Sequence, residues 1–149
     1  HPPCPHPACQ GMRALGLDIG DRRVGIAVSD ETGTIAHGRG VYVRRGLNAD
    51  AEHLARLAYA TGAGALVVGL PLNMDGTEGE QVRKTRDLAQ AVAERARLPL
   101  HYVDERLTTS EADRVLRQGG LSARRRKGHR DELAAVLILQ AWLDRKRGS

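Results

Sequence analysis

The chain has 149 residues, 41% of them hydrophobic and only 3% aromatic, with no phenylalanine, a net charge of +5 and an isoelectric point near 9.8. That length suits one domain with its own core; no apolar run approaches the roughly 18 residues of a membrane span and the start lacks a signal-peptide pattern, so a soluble, cytoplasmic protein with no membrane partner is expected. The basic balance favours a polyanion, and the scarcity of rings makes base stacking a poor mode of binding, which leaves phosphate contacts from Arg and Lys.

Residues 1–11 hold four prolines and both cysteines, Cys4 and Cys9, without periodicity. A zinc cluster of His1, Cys4, His6 and Cys9 would need a spacing that matches no structural zinc pattern. The segment is read as a disordered leader or expression remnant, and residues 12–149 as a single domain.

The first element is the most informative. Leu15-Gly16-Leu17-Asp18-Ile19 is an apolar strand that carries a lone carboxylate. Burying an unpaired acid is costly, so Asp18 calls for a counter-charge or a metal. Gly20-Asp21-Arg22-Arg23 reads as a hairpin turn, and Val24, Ile26 and Val28 restore alternation on the returning strand. A turn at Glu31-Thr32-Gly33 precedes a third, less regular strand between Ile35 and Val43. From Asn48 or Asp50, helical spacing of Leu54, Leu57, Ala58 and Thr61 runs until Gly62 and Gly64 stop it.

Ala65-Leu66-Val67-Val68-Gly69 is a continuous apolar run, the mark of a buried strand. The loop from Leu70 to Gly76 then leads to Thr77-Glu78-Gly79-Glu80, a capping box for a helix with Val82, Thr85, Leu88, Ala89 and Val92 on one face. Leu98–Val103 forms the next strand, ending at Asp104-Glu105-Arg106 before a second capping box, Thr108-Thr109-Ser110-Glu111. Residues 118–130, with Arg124, Arg125, Arg126, Lys127 and Arg130, read as a mobile basic loop, and a final helix is expected from about Asp131. The order predicts an α/β fold in which three antiparallel strands lead into parallel βαβ units.

In such a sheet, clefts form beyond the carboxyl ends of the strands. Asp18, Asp104-Glu105 and Asp131 all fall at element ends facing that region. Carboxylates are the hard ligands that Mg²⁺ and Mn²⁺ prefer, and two such ions can clamp a phosphodiester displacement. Taken singly, Asp131 is also explained by a helix macrodipole, Glu105 by pairing with Arg106 or Arg124, and the basic run by solvation. Asp18 is the hardest to explain structurally.

Together, Leu17-Asp18-Ile19-Gly20 with Arg23-Val24-Gly25-Ile26-Ala27-Val28-Ser29-Asp30, Val68-Gly69-Leu70-Pro71-Leu72-Asn73-Met74-Asp75-Gly76, Asp104-Glu105-Arg106-Leu107-Thr108-Thr109 and Asp131-Glu132-Leu133-Ala134-Ala135 resemble the YqgF/RuvX family. The resemblance implies an RNase H-like fold, a mixed five-stranded sheet flanked by helices, and kinship with RuvC Holliday-junction resolvases. It implies a hydrolase that cuts phosphodiester bonds with Mg²⁺ or Mn²⁺, in 5′-end processing of pre-16S rRNA during ribosome biogenesis or, alternatively, in resolving DNA junctions. Carried over by motif, Asp18, Glu105 and Asp131 are the catalytic and metal-binding acids. Arg23, Arg106, Arg124, Arg125, Arg126, Lys127 and Arg130 are the expected contacts to structured RNA or branched DNA.

One departure matters. RuvC-type enzymes carry a glutamate at the end of the fourth strand, where this chain has Gly69, so Glu105 would have to serve instead. Two other readings stand beside the nuclease. Asp-x-Gly before a returning strand also resembles the phosphate motif of the actin and sugar-kinase group, which binds ATP between two such domains. A non-catalytic RNA-binding factor would keep the fold, although carboxylates in its cleft would only repel phosphate. The chain is expected to act as a monomer or homodimer.

Overall fold

The computed structural model describes residues 13–30, 33–71, 79–104 and 123–147, with side chains in the last segment described at 132–145. The strands are β1 (Ala14–Ile19), β2 (Arg23–Ser29), β3 (Ala36–Val43), β4 (Ala65–Leu70) and β5 (Leu100–Asp104); the helices are α1 (Leu47–Thr61), α2 (Glu80–Ala96) and α3 (Ala123–Arg147). They build one five-stranded sheet in the order β3-β2-β1-β4-β5. The β1–β2 and β2–β3 pairs are antiparallel, and the β1–β4 and β4–β5 pairs are parallel. The expected mixed sheet is therefore present.

Two-residue periodicity sorts the strands onto two faces. Leu15, Leu17, Val24, Ile26, Leu66 and Val68 pack under α1 and α2 with Leu54, Ala58, Leu88 and Val92. Ala14, Ala27, Ala36, Val67 and Val103 pack under α3 with Ala135, Ile138, Leu139 and Leu143. The difference in size between these two sets is physical. The α3 face is lined by small residues because α3 lies close to the sheet: a Cβ added at Gly16 would sit 2.8 Å from Leu139 Cβ and 3.2 Å from the Ala135 carbonyl oxygen.

Helix α1 ends where Gly62 adopts the left-handed conformation at φ 73°; its N–H and that of Ala63 satisfy the carbonyls of Tyr59 and Ala58. Strand β3 carries a bulge: Ile26 pairs with Gly40 but Ala27 pairs with Gly38, so Arg39 is the extra residue. This accounts for the irregular look of the segment between Ile35 and Val43.

Two expectations are corrected. Helix α2 begins at Glu80 with Gly79 as its N-cap and no side-chain cap, so a box opened by Thr77 does not start it. The basic segment is not a loop from 123 onward: 123–130 form the first turns of α3, and Asp131 lies inside the helix rather than at its start. Arg, Lys and Ala are good helix formers, and the single Gly128 costs only about 1 kcal/mol. Packing of the rest of α3 on the sheet offsets that cost. The loop at 72–78, the second capping box and residues 118–122 lie outside the described residues. Among the described residues no helix is long and apolar enough to cross a membrane.

Gly16→Ala should overpack the α3–sheet contact and destabilise the fold by about 1–3 kcal/mol. The urea midpoint should fall with the m-value unchanged. An unaltered midpoint would disprove the close-approach account.

Candidate active site

Asp18 occupies the fifth position of β1 and is half-buried. Counting by twos from Ala14 and Gly16 places it on the α3 face. Its antiparallel partner is Gly25. On the other side, Leu17 pairs with Val68, so Gly69 is the next position along β4, and Gly69 pairs with Val103 of β5. The carboxylate thus stands in a row whose neighbours on both flanking strands have no side chain. Both glycines are buried, so backbone alone flanks the acid on these two strands.

Helix α3 runs antiparallel to β1, and two side chains fix its register. Gln140 Oε1 accepts the Ala36 N–H at 2.9 Å while its Nε2 donates to the Thr34 carbonyl at 2.9 Å. Glu132 Oε2 accepts the Gly40 N–H at 2.5 Å, beside the bulge in β3. Moving from Gln140 to Glu132 therefore moves along β3 from Ala36 to Gly40, which is the direction from Ala14 to Asp18 on β1. Leu139 and Ala135 sit over Gly16. Two strand residues further, about 6.6 Å, is Asp18; one helical turn further, about 6 Å, is Asp131. The two acids predicted from the sequence are brought to matching positions along the helix and the sheet.

Arg23 lies on the same face as Asp18, two residues before Gly25. Arg124, Arg125, Arg126, Lys127 and Arg130 stand on the N-terminal turns of α3, at the end of the helix that passes beyond Glu132. Glu105 and Arg106 lie outside the described residues. The strand leading to them alternates as required: His101 meets Trp142 of α3 with ring centroids 5.0 Å apart, and Val103 is in the α3 cluster.

The hairpin that carries Asp18 is held by a buried charge network absent from the sequence-derived set of site residues. Gly20 N–H donates to the Arg23 carbonyl at 2.8 Å. Arg44 spans outward from this turn, donating from Nη1 to the Gly20 carbonyl at 3.0 Å and from Nε to Asp50 Oδ2 at 2.9 Å. Asp50, with no exposed surface, also accepts the Tyr42 hydroxyl and the Arg45 N–H, both at 2.9 Å, and the Gly46 N–H at 3.4 Å. Tyr42 in turn stacks on His53 with centroids 4.2 Å apart. Burial pushes the Asp50 carboxyl upward, but the donors from Arg45, Arg44, Tyr42 and Gly46 together outweigh it and hold the group below its ordinary value. Burial, and then the hydrogen bond to Asp50, push the Tyr42 hydroxyl the other way. The signal for Asp50 was available: it sits on the buried 50-54-58 stripe of α1, where an acid needs a partner.

The profile of the family described as "RuvX: Holliday junction resolvase" matches residues 12–145. A protein of Syntrophomonas wolfei named "Putative pre-16S rRNA nuclease" is 44% identical over 133 residues, covering 89% of this chain and 94% of that protein. One of the same name from Moorella thermoacetica is 46% identical over 134 residues, covering 90% and 96%. Among solved structures, T. thermophilus RuvC in complex with a Holliday junction substrate superposes with a TM-score of 0.59 at 17% identity, covering 91% of this chain and 96% of that one. That likeness shows a shared fold.

Two measurements test this architecture. Asp50→Ala leaves a buried guanidinium and a hydroxyl without their acceptor and should cost about 3 kcal/mol or more at neutral pH. Because the folded-state pKa is depressed, the stabilisation by Asp50 is complete above the ordinary value of 3.8 and is lost as pH falls through the folded value. The stability gap between wild type and Asp50→Ala should stay level at mildly acid pH and close only below about pH 4. Glu132→Ala should expose the cost of an unpaired Gly40 N–H, about 1–3 kcal/mol, with faster amide exchange at Gly40 as its local signature.

Proposed function

The chain belongs to the RuvX family, and on that premise we propose that it is a nuclease that processes pre-16S rRNA with Asp18, Glu105 and Asp131 as its catalytic acids. The observation that carries this reading is the register of α3 on the sheet, which sets Asp131 alongside Asp18 over a row floored by Gly25 and Gly69. β5 turns His101 and Val103 toward α3, and Glu105, two positions further along the chain, is taken as the third acid. On this reading three carboxylates, from β1, the residue after β5 and α3, would together form the site.

Such a donor set of hard oxygens fits Mg²⁺ or Mn²⁺. Held by Asp18, Glu105 and Asp131, the ions would supply an activated water and charge stabilisation at the scissile phosphate. The chain's own part is to hold these acids rigidly: Asp18 through the hairpin clamped by Arg44, and Asp131 through the Glu132 and Gln140 anchors. Arg23, Arg106 and the basic residues from Arg124 to Arg130 would supply the contacts to the phosphate backbone. Carboxylates and cations are thereby divided in labour, which explains why a basic protein keeps three acids where phosphate must come.

The named relatives favour RNA as the polymer. The DNA junction reading draws only on a shared fold, and Gly69 stands where the resolvase pattern has its glutamate. A panel of precursor rRNA fragments and four-way DNA junctions, incubated with Mg²⁺ or Mn²⁺, separates them. Wild type should trim the rRNA fragment, and Asp18→Asn, Glu105→Gln and Asp131→Asn should each lose on the order of 10³-fold or more in rate while still binding it. Cleavage undiminished in Asp18→Asn would overturn the assignment; cutting confined to the junction would move it to DNA.

A further inference from the structure

We propose that Arg22 and Arg45 form a phosphate-binding site that grips the nucleic-acid strand beside the Asp18 end of the sheet. The nature of the polymer rests on the nuclease reading above; the site itself rests on the disposition of charge at the β2–β3 end. Four arginines gather there, and they are not equivalent. The guanidinium of Arg44 is committed to Asp50 and the Gly20 carbonyl, and Arg23 is half-buried on the α3 face. Arg22 and Arg45 are exposed, and among the described residues neither side chain makes an ion pair or hydrogen bond.

Two exposed cations would ordinarily be solvated and mobile, contributing little. These two differ because their backbones are fixed and adjacent. The Arg22 carbonyl accepts the Arg44 N–H at 2.8 Å, which sets residues 22 and 44 side by side, and the Arg45 N–H is anchored on Asp50 Oδ1 at 2.9 Å. Asp50 is the acid that would otherwise neutralise Arg45, but its oxygens are taken by Arg44, Tyr42 and backbone donors. Asp21, the acid in the same turn, forms no ion pair with either arginine among the described residues. Arg22 and Arg45 thus stand on fixed backbone positions at one end of the sheet, with no acid of their own among the described residues, and a guanidinium suits forked hydrogen bonds with phosphate oxygens.

Their distance from the proposed chemistry is also suitable. Arg22 lies in the turn closed by Gly20 and Arg23, about 7 Å beyond Asp18 along β1, and Arg45 follows β3, two strand spacings or about 9.6 Å across the sheet. At a rise of about 3.4 Å per nucleotide along a duplex axis, both fall within about three nucleotides. A strand laid across the acids would therefore pass the arginine pair within a few phosphates of the scissile bond. The pair neutralises backbone charge without reading bases, so it adds affinity and positioning rather than sequence preference.

The test measures binding apart from cleavage. A fluorescein-labelled precursor rRNA hairpin and a labelled four-way DNA junction are titrated with the full chain in EDTA, and anisotropy is followed across a series of KCl concentrations. Arg22→Ala and Arg45→Ala should each lower the magnitude of the slope of log K against log salt by about 1, and the double variant by about 2. Arg22→Lys and Arg45→Lys should keep the slope, because a counter-charge is retained; a thermal midpoint within the wild-type range shows that the alanine variants are folded. A wild-type slope for the folded double alanine variant on both probes would overturn the site. Reduced slopes in a protein that cleaves neither polymer with Mg²⁺ or Mn²⁺ would keep the phosphate site and sink the nuclease reading instead.

Discussion

The closeness of α3 to the sheet is the constraint on which the rest of the molecule depends. A helix can lie that near only if the strand residues beneath it have almost no side chain, and Ala14, Gly16, Ala27, Ala36 and Gly38 meet that condition. The gap at Gly16 is too small even for a methyl group. Small residues contribute little hydrophobic area of their own, so the stability of this face comes from the helix side, where Ile138, Leu139 and Leu143 are buried. Close packing trades area for rigidity: a helix seated on a flat, small-residue floor has few alternative positions. Glu132 and Gln140 then fix where along the strands it sits.

The opposite face is built on another principle. There Leu15, Leu17, Leu54, Leu66 and Leu88 form a thick apolar layer, and Asp50 is the buried acid within it. Its carboxylate is fully withdrawn from water, which would be prohibitive were it not surrounded by donors from β3, the β3–α1 connection and the Arg44 guanidinium. Since Arg44 also reaches the Gly20 carbonyl, the cost of one buried charge is offset within a network that ties α1, β3 and the first hairpin together. Asp18 is thus steadied from both faces, by a helix packed over its strand and by a salt bridge behind its turn.

Much of this was legible from the residues. Alternation in β1 and β2, the apolar run of β4 and the helical spacing of Leu54 with Ala58 or Val82 with Leu88 each fixed an element, because burial of one face imposes its period on the sequence. The strangeness of Asp18 was equally visible, since an acid breaks an apolar strand. What escaped depends on contacts distant in sequence. The early start of α3 was hidden by Gly128 and a charge run whose helical state depends on packing of residues further along. Gly40, beside the bulge at Arg39, and its partner Glu132 are 92 positions apart, and nothing local marks either. Gly69 stands out in the sequence only against the resolvase pattern and Gly25 only as part of the returning strand; pairing shows that both share the row of Asp18.

That row also decides between the two acids at the end of β5, which periodicity and motif position alone left adjacent. Asp104 pairs with Leu70 and follows Leu100 and Tyr102 in the alternation, and those two pack with the α1–α2 layer. An acid at that parity belongs to the face away from α3 and away from Asp18. His101 and Val103, at the other parity, meet α3. Reach argues the same way. With no side chain at Gly69, an acid on β5 must span two strand spacings to Asp18, about 9.6 Å, where one on β4 would span about 4.8 Å. A glutamate, one methylene longer than aspartate, suits the longer gap. The parity of Asp104 thus agrees with the proposal, which gives the catalytic role to the acid that follows it.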